Sequence, residues 1–267
     1  MTAVADAPVR PARTPPHRRR SARRAVPHLV FLAALLVAWQ LAAQLLEPIV
    51  LPSVDAVAAA FVDLVLTGEL PLALAQSILL LVLGLGIASA VGLGFGILIG
   101  RSQVAHWTLS PYFSALFVIP TVALVPIVLI WFGFGMTGRV IIVVLAAVVP
   151  ILLSVASSLR DEPGELVEVA RSFGVRGELA LLRTVRLRAA VPVIMSGLRL
   201  AVGRAVVGMA VAETYLRLGG IGGLIRDYGS LFQTDYVFAA ILPLSLLGVG
   251  LSALVGVLER HYQGWRS

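Results

Sequence analysis

Six long apolar blocks separated by short polar stretches make up most of the 267-residue chain. They lie at about Leu29–Leu46, Leu72–Gly100, Leu109–Phe132, Val140–Ser158, Ala189–Ala212 and Val237–Leu258, each near or above the ~20 residues a helix needs to cross ~30 Å of hydrocarbon. The pattern predicts an all-α membrane protein with six transmembrane helices. In the third block Pro120 and Pro126 each remove a helix hydrogen bond, so a kink or break is expected there, either as part of a pore wall or for packing alone. The second block places Gly84, Ala88, Gly92, Gly96 and Gly100 on one helix face. Such a smooth face lets a neighbouring helix come close, for sliding or for static packing.

Composition agrees with the pattern: 59% hydrophobic residues, 13% charged residues and a mean hydropathy of +0.96 lie outside the range of a soluble domain. The net charge of +7 comes from 21 arginines with no lysine, and their placement argues against a nucleic-acid partner. With the amino terminus inside, sixteen fall on inner segments: Arg10, Arg13, Arg18, Arg19, Arg20, Arg23, Arg24, Arg101, Arg160, Arg171, Arg176, Arg183, Arg186, Arg188, Arg260 and Arg266. Only Arg139, Arg217 and Arg226 fall outside, which predicts an N-in/C-in topology. Residues 1–27 read as a disordered basic cytoplasmic tail, 28–259 as the six-span domain and 260–267 as a cytoplasmic tail. Ser21-Ala-Arg-Arg24 ahead of an apolar run also fits a twin-arginine signal, but no small-residue cleavage site precedes the next block. There is no cysteine, and His17, His28, His106 and His261 form no ligand cluster. No metal site, bound cofactor or catalytic constellation is therefore expected.

The polar anomaly is the insert from Asp161 to Arg188, on the inner side in this topology. Asp161 or Glu162 can cap a helix with Pro163 in its first turn, and Gly174 falls where a left-handed C-terminal residue belongs. Leu166, Val167, Ala170 and Phe173 then share one face, and Glu165, Glu168, Arg171 and Ser172 the other. Glu178 to Thr184 predicts a second short helix, and Pro192 marks the start of the fifth span.

Glu168-Val-Ala170, Gly174, Val185-x-Leu187 and Pro192 resemble the EAA loop of the permeases of binding-protein-dependent ABC importers. Leu51-Pro-Ser53, Gly68-Glu-Leu70, Ser77, Ile119-Pro-Thr-Val-Ala-Leu-Val-Pro126, Trp131-Phe-Gly-Phe-Gly135, Gly197-Leu-Arg199 and Val211-Ala-Glu213 extend the likeness over most of the chain, toward the taurine/nitrate/sulfonate branch. Val54, Leu80, Val169 and Arg188 depart from that pattern; Arg188, where the branch has proline, leaves the second coupling helix free to run on into the fifth span. The resemblance implies a multi-pass permease of a bacterial-type cell membrane that moves a small anionic solute. Its implied partners are a cytoplasmic ATPase dimer that uses the ATP, an extracytoplasmic solute-binding protein and a second permease copy.

The loop residues expected to meet the ATPase are Glu168, Ala170, Arg171, Gly174 and Arg176. The chain has no Walker A loop and no lysine, so energy must reach it from another subunit. Glu168 has the simpler alternative of pairing within its own helix. Pro120, Pro126, Arg199 and Arg204 are the expected residues of the translocation path, although Arg199 and Arg204 could instead snorkel to lipid headgroups. Glu213 is either a partner for outer-loop charges or an interfacial carboxylate, and the loop Arg217–Tyr236, with Gly219-Gly-Ile-Gly-Gly223, is an outer gate, a docking surface or simply flexible. The competing class is a secondary transporter or channel independent of any ATPase, with a non-transporting scaffold as a third.

Overall fold

In the computed structural model, residues 20–160, 164–216 and 219–263 are described; they form helices, turns and no strand. Two compact units divide the chain at residue 54. The first contains α1 (Arg20–Leu45), which starts inside the stretch expected as a tail and continues through Pro27. Its Trp39 Nε1–H donates to the Pro52 carbonyl (2.9 Å) and its Gln40 Oε1 accepts from the Val54 N–H (2.9 Å), holding the following turn.

The second unit contains α2 (Val54–Leu66), α3 (Glu69–Arg101), α4 (Gln103–Val118), α5 (Thr121–Phe132) and α6 (Met136–Arg160). After these come α7 (Gly164–Ser172), α8 (Glu178–Leu181), a π turn (Leu182–Arg186), α9 (Leu187–Leu216), α10 (Ile221–Ser230) and α11 (Thr234–Gln263). The organising helix is α6, held between α3 and α9. On the α3 side the small-residue face is in use: a Cβ on Gly84 would lie 2.4 Å from Val143 Cγ1, on Gly92 2.9 Å from Ile151 Cβ, on Gly96 2.6 Å from Val155 Cβ and on Gly100 2.9 Å from Leu159 Cβ. These distances exclude any side chain, so the stripe is a close-packed seam. A second seam faces α9, where a Cβ on Gly197 would meet Ser154 Oγ at 2.2 Å and one on Gly208 would meet Ala146 Cβ at 2.7 Å, with Ala201, Ala205 and Ala212 fully buried between and beyond them.

These pairings also give direction. Residue numbers rise together along α3 and α6, so those helices are parallel, whereas α6 and α9 are antiparallel. Gly248 opposite Val206 and Gly256 opposite Arg199 make α9 and α11 antiparallel as well. Parallel α3 and α6 require the intervening segment to cross the helical layer once. That segment is α4 and α5, bent by 102° at a break after Val118. Four long apolar helices and this broken pair thus provide up to five spans in the second unit, and α1 contributes a shorter apolar stretch, Leu29–Leu45. The break coincides with Pro120; Pro126 lies within an uninterrupted α5, because the neighbouring turns retain their own hydrogen bonds. The topology also gathers the ends at Arg101, Arg160 and Arg260 on the face that carries α7, and Glu69, Met136, Leu216 and α10 on the opposite face.

Two elements were absent from the sequence expectation. One is α2. The other is α10, a ten-residue helix within the stretch expected as the Arg217–Tyr236 loop.

Candidate functional site

Glu213 is fully buried near the carboxyl end of α9, and Ser77 of α3 is fully buried beside it. Ser77 Oγ–H donates to Glu213 Oε1 (2.7 Å) and the same hydroxyl accepts from the Ile221 N–H (2.9 Å). Glu213 Oε2 accepts from the Gly222 N–H (2.9 Å), while Gln76 Oε1 accepts from the Gly220 N–H (2.8 Å). The first-turn amides of α10, which no residue of that helix can satisfy, are thus capped from α3 and α9. Arg139, 8% exposed in the first turn of α6, adds a favourable charge at longer range without bonding to Glu213, and its Nε and Nη1 are buried with no hydrogen-bond partner among the described residues. The glycines of residues 219–223 are the means of this docking. Gly219 and Gly220 have φ of +66° and +81°, and a Cβ on Gly220 would lie 2.2 Å from Glu213 Oε1. Residues 220–222 are thus hydrogen-bonded to α3 and α9. Alanine at Glu213 strands the Ser77 hydroxyl and the Gly222 amide and removes the negative charge beside Arg139; a loss of about 3–5 kcal/mol is expected, read as a fall in the thermal midpoint of the detergent-solubilised protein, with Glu213→Gln losing less.

The broken helix carries a second polar feature. Arg204, near the middle of α9, donates from Nη1 to the Phe117 carbonyl (3.1 Å) and stacks 3.8 Å over the Phe117 ring. It thereby ties the last turn of α4 to α9. A guanidinium in hydrocarbon costs at least ~2.5–3.5 kcal/mol unless it finds partners, and the carbonyl released by the helix break is one. Arg204 and Pro120 together line a cavity of about 390 Å³ with Phe117, Thr121, Leu200 and Gly203. The structure does not bring Arg199 and Pro126 there. Arg199 forms an ion pair with Glu259 of α11, and Pro126 is exposed on α5.

At the opposite end from Glu213, α7 ends as its sequence suggests. Gly174 has φ +86°; its N–H bonds to the Arg171 carbonyl (3.0 Å) and the Val175 N–H to the Ala170 carbonyl (3.1 Å), the paired bonds of a Schellman motif. Asp161, Glu162 and Pro163, the expected cap, lie outside the described residues. Phe173 departs from expectation. It was placed on the apolar face with Val167, but it is 85% exposed while Val167 is buried, because α7 stops at Ser172 and the chain turns away before Gly174. Glu168 is exposed and Ser172 Oγ–H bonds back to the Val169 carbonyl (2.7 Å). Arg171 and Arg176 converge on a recess of about 390 Å³ with Val175, Gly177 and Leu181. From Glu178 the chain is helical without interruption to Leu216, as Arg188 in place of proline permits. The expected second helix is shorter than Glu178–Thr184, because a π turn, closed by the Leu187 N–H on the Leu182 carbonyl, takes over at Leu182.

A bundle of long apolar helices with a broken span and a helical insert on one face is the architecture of a multi-pass membrane protein. The chain belongs to the family of binding-protein-dependent transport system inner membrane components, which it matches over residues 92–264. It is 32% identical to the putative aliphatic sulfonates transport permease SsuC of Bacillus subtilis, over 90% of this chain and 87% of that protein. It is 35% identical to SsuC of Escherichia coli, over 88% and 90% respectively. Its fold is similar to a chain of the inward-facing MetNI methionine ABC transporter, with a TM-score of 0.57, 17% identity and coverage of 71% of this chain and 96% of that one. The protein is a permease subunit of an ABC importer.

Proposed function

We propose that this permease spans the membrane six times with both termini inside, counting α1 as one span and α4–α5 as another. In this reading the face carrying α7 is cytoplasmic, because arginines gather there. A small organic anion of the sulfonate kind, the solute named for its SsuC relatives, passes along a path between two copies of the chain. The path is bordered by the α4–α5 break and α9, so that Pro120 and Arg204 contribute to it. A solute-binding protein delivers the solute on the opposite face.

The observation that carries the coupling half of this reading is the shape of α7. It is a short helix with a capped end, with Val169 and Phe173 exposed four residues apart and Arg171 and Arg176 converging on one recess. These are the parts of a docking knob: an apolar contact and two guanidiniums for acidic groups of the ATPase. Closure of the ATPase dimer on ATP draws the two knobs together and reverses which end of the path is open. Uptake of ethanesulfonate by cells expressing the permease with its ATPase and binding protein is expected to cease when the ATPase is deleted. Uptake that persists without it would establish the secondary-transporter alternative.

A further inference from the structure

The guanidinium of Arg204 is only partly used by the protein. Of its five N–H donors, Nη1 takes the Phe117 carbonyl, and among the described residues no carboxylate pairs with it. Its neighbour across the cavity is the amino end of α5. There Pro120, as N-cap, offers no side-chain acceptor, and Thr121 lines the wall. The Ala123 N–H is taken by the Pro120 carbonyl (2.9 Å), so the Thr121 and Val122 amides, with the dipole of a twelve-residue helix, add positive potential to that of Arg204. A half-helix amino terminus facing a cation across a break within a membrane span is an arrangement that suits an anionic group.

We propose that the cavity at the α4–α5 break is a transient binding station for the oxyanion headgroup of a small organic anion, held by Arg204 and the amino end of α5. The station rests on the reading that this break borders the translocation path. Its apolar remainder, with Val118, Leu200 and Val207, accommodates a short alkyl group. The chain then contributes anion preference of its own, beyond whatever a binding protein selects.

The test uses the absence of cysteine from the sequence. A Cβ at Gly203 meets nothing within 4 Å and Gly203 lines the cavity, so Gly203→Cys places one thiol beside Arg204 without a clash. The full chain, in membrane vesicles with its ATPase, is treated with two methanethiosulfonates of similar size, one bearing an ethylsulfonate and the other an ethyltrimethylammonium group. Relative to a free thiol, the anionic reagent is expected to react at least about ten-fold faster than the cationic one. The preference should disappear with Arg204→Gln and survive Arg204→Lys. Excess methanesulfonate should slow the reaction, whereas dimethyl sulfone, its neutral isostere, should not; this arm needs no change at Arg204. Equal rates for both reagents, or equal protection by the two competitors, overturns the station and leaves the path reading intact. No reaction with either reagent overturns the path reading itself.

Discussion

Leucine at Gly96 is expected to abolish the folded permease. A Cβ there lies 2.6 Å from Val155 Cβ and 2.9 Å from the Leu152 carbonyl, so the added side chain has to separate α3 from α6 along the whole seam from Gly84 to Gly100. A single overpacked core site costs about 1–3 kcal/mol, and prising two helices apart exceeds that, because every other close contact of the seam is lost with it. The measurement is the yield of monodisperse protein in mild detergent. Gly94→Leu is the internal control: it is on the same helix, two residues away, exposed and with nothing within 4 Å of its Cβ. Near-normal yield is expected for Gly94→Leu, and equal yields of the two variants would show that the seam is not what holds these helices.

Valine at Gly174 is expected to uncouple transport from ATP hydrolysis while leaving membrane insertion unchanged. No atom crowds this glycine, so the effect is purely one of backbone. At φ +86° a left-handed residue with a Cβ costs about 1–2 kcal/mol, more for a β-branched one, and the chain escapes by opening the two bonds that end α7. The Arg171 and Arg176 recess and the exposed Phe173 then lose their fixed relation. Solute-stimulated ATP hydrolysis and co-purification of the ATPase report the loss. Gly174→Asn should retain much of both, since asparagine tolerates this conformation, and Glu168→Lys should weaken docking without disturbing the turn. Valine behaving as wild type in both assays would remove α7 from the coupling path.

Much of the fold was legible in the chain because a membrane leaves few alternatives: a backbone in hydrocarbon must satisfy its own hydrogen bonds, so long apolar runs are helices. The stripe on α3 was readable because five small residues recur at one spacing. Its counterpart on α9, from Gly197 through Ala201 and Ala205 to Gly208 and Ala212, follows a slightly irregular spacing and is not legible in the same way. α10 is hidden in the sequence for a different reason. Its four glycines at and just before its start resemble a loop, and the groups that make it a helix, Gln76, Ser77 and Glu213, are remote in sequence.

The same division runs through the candidate sites. Gly174 could be assigned from sequence because a helix end is a local event, governed by a few neighbouring dihedrals. The sequence by itself determined the long apolar helices, the gathering of arginines toward one end and the terminated knob of α7. Only the tertiary structure decided which intramembrane arginine faces a cavity. Arg199 and Arg204 lie on one helix and are chemically alike, yet α11 presents Glu259 to the first, while the broken end of α4 presents the second with a carbonyl, a ring and an open space. The cost of burying a charge depends on what surrounds it, and those surroundings come from helices distant along the chain.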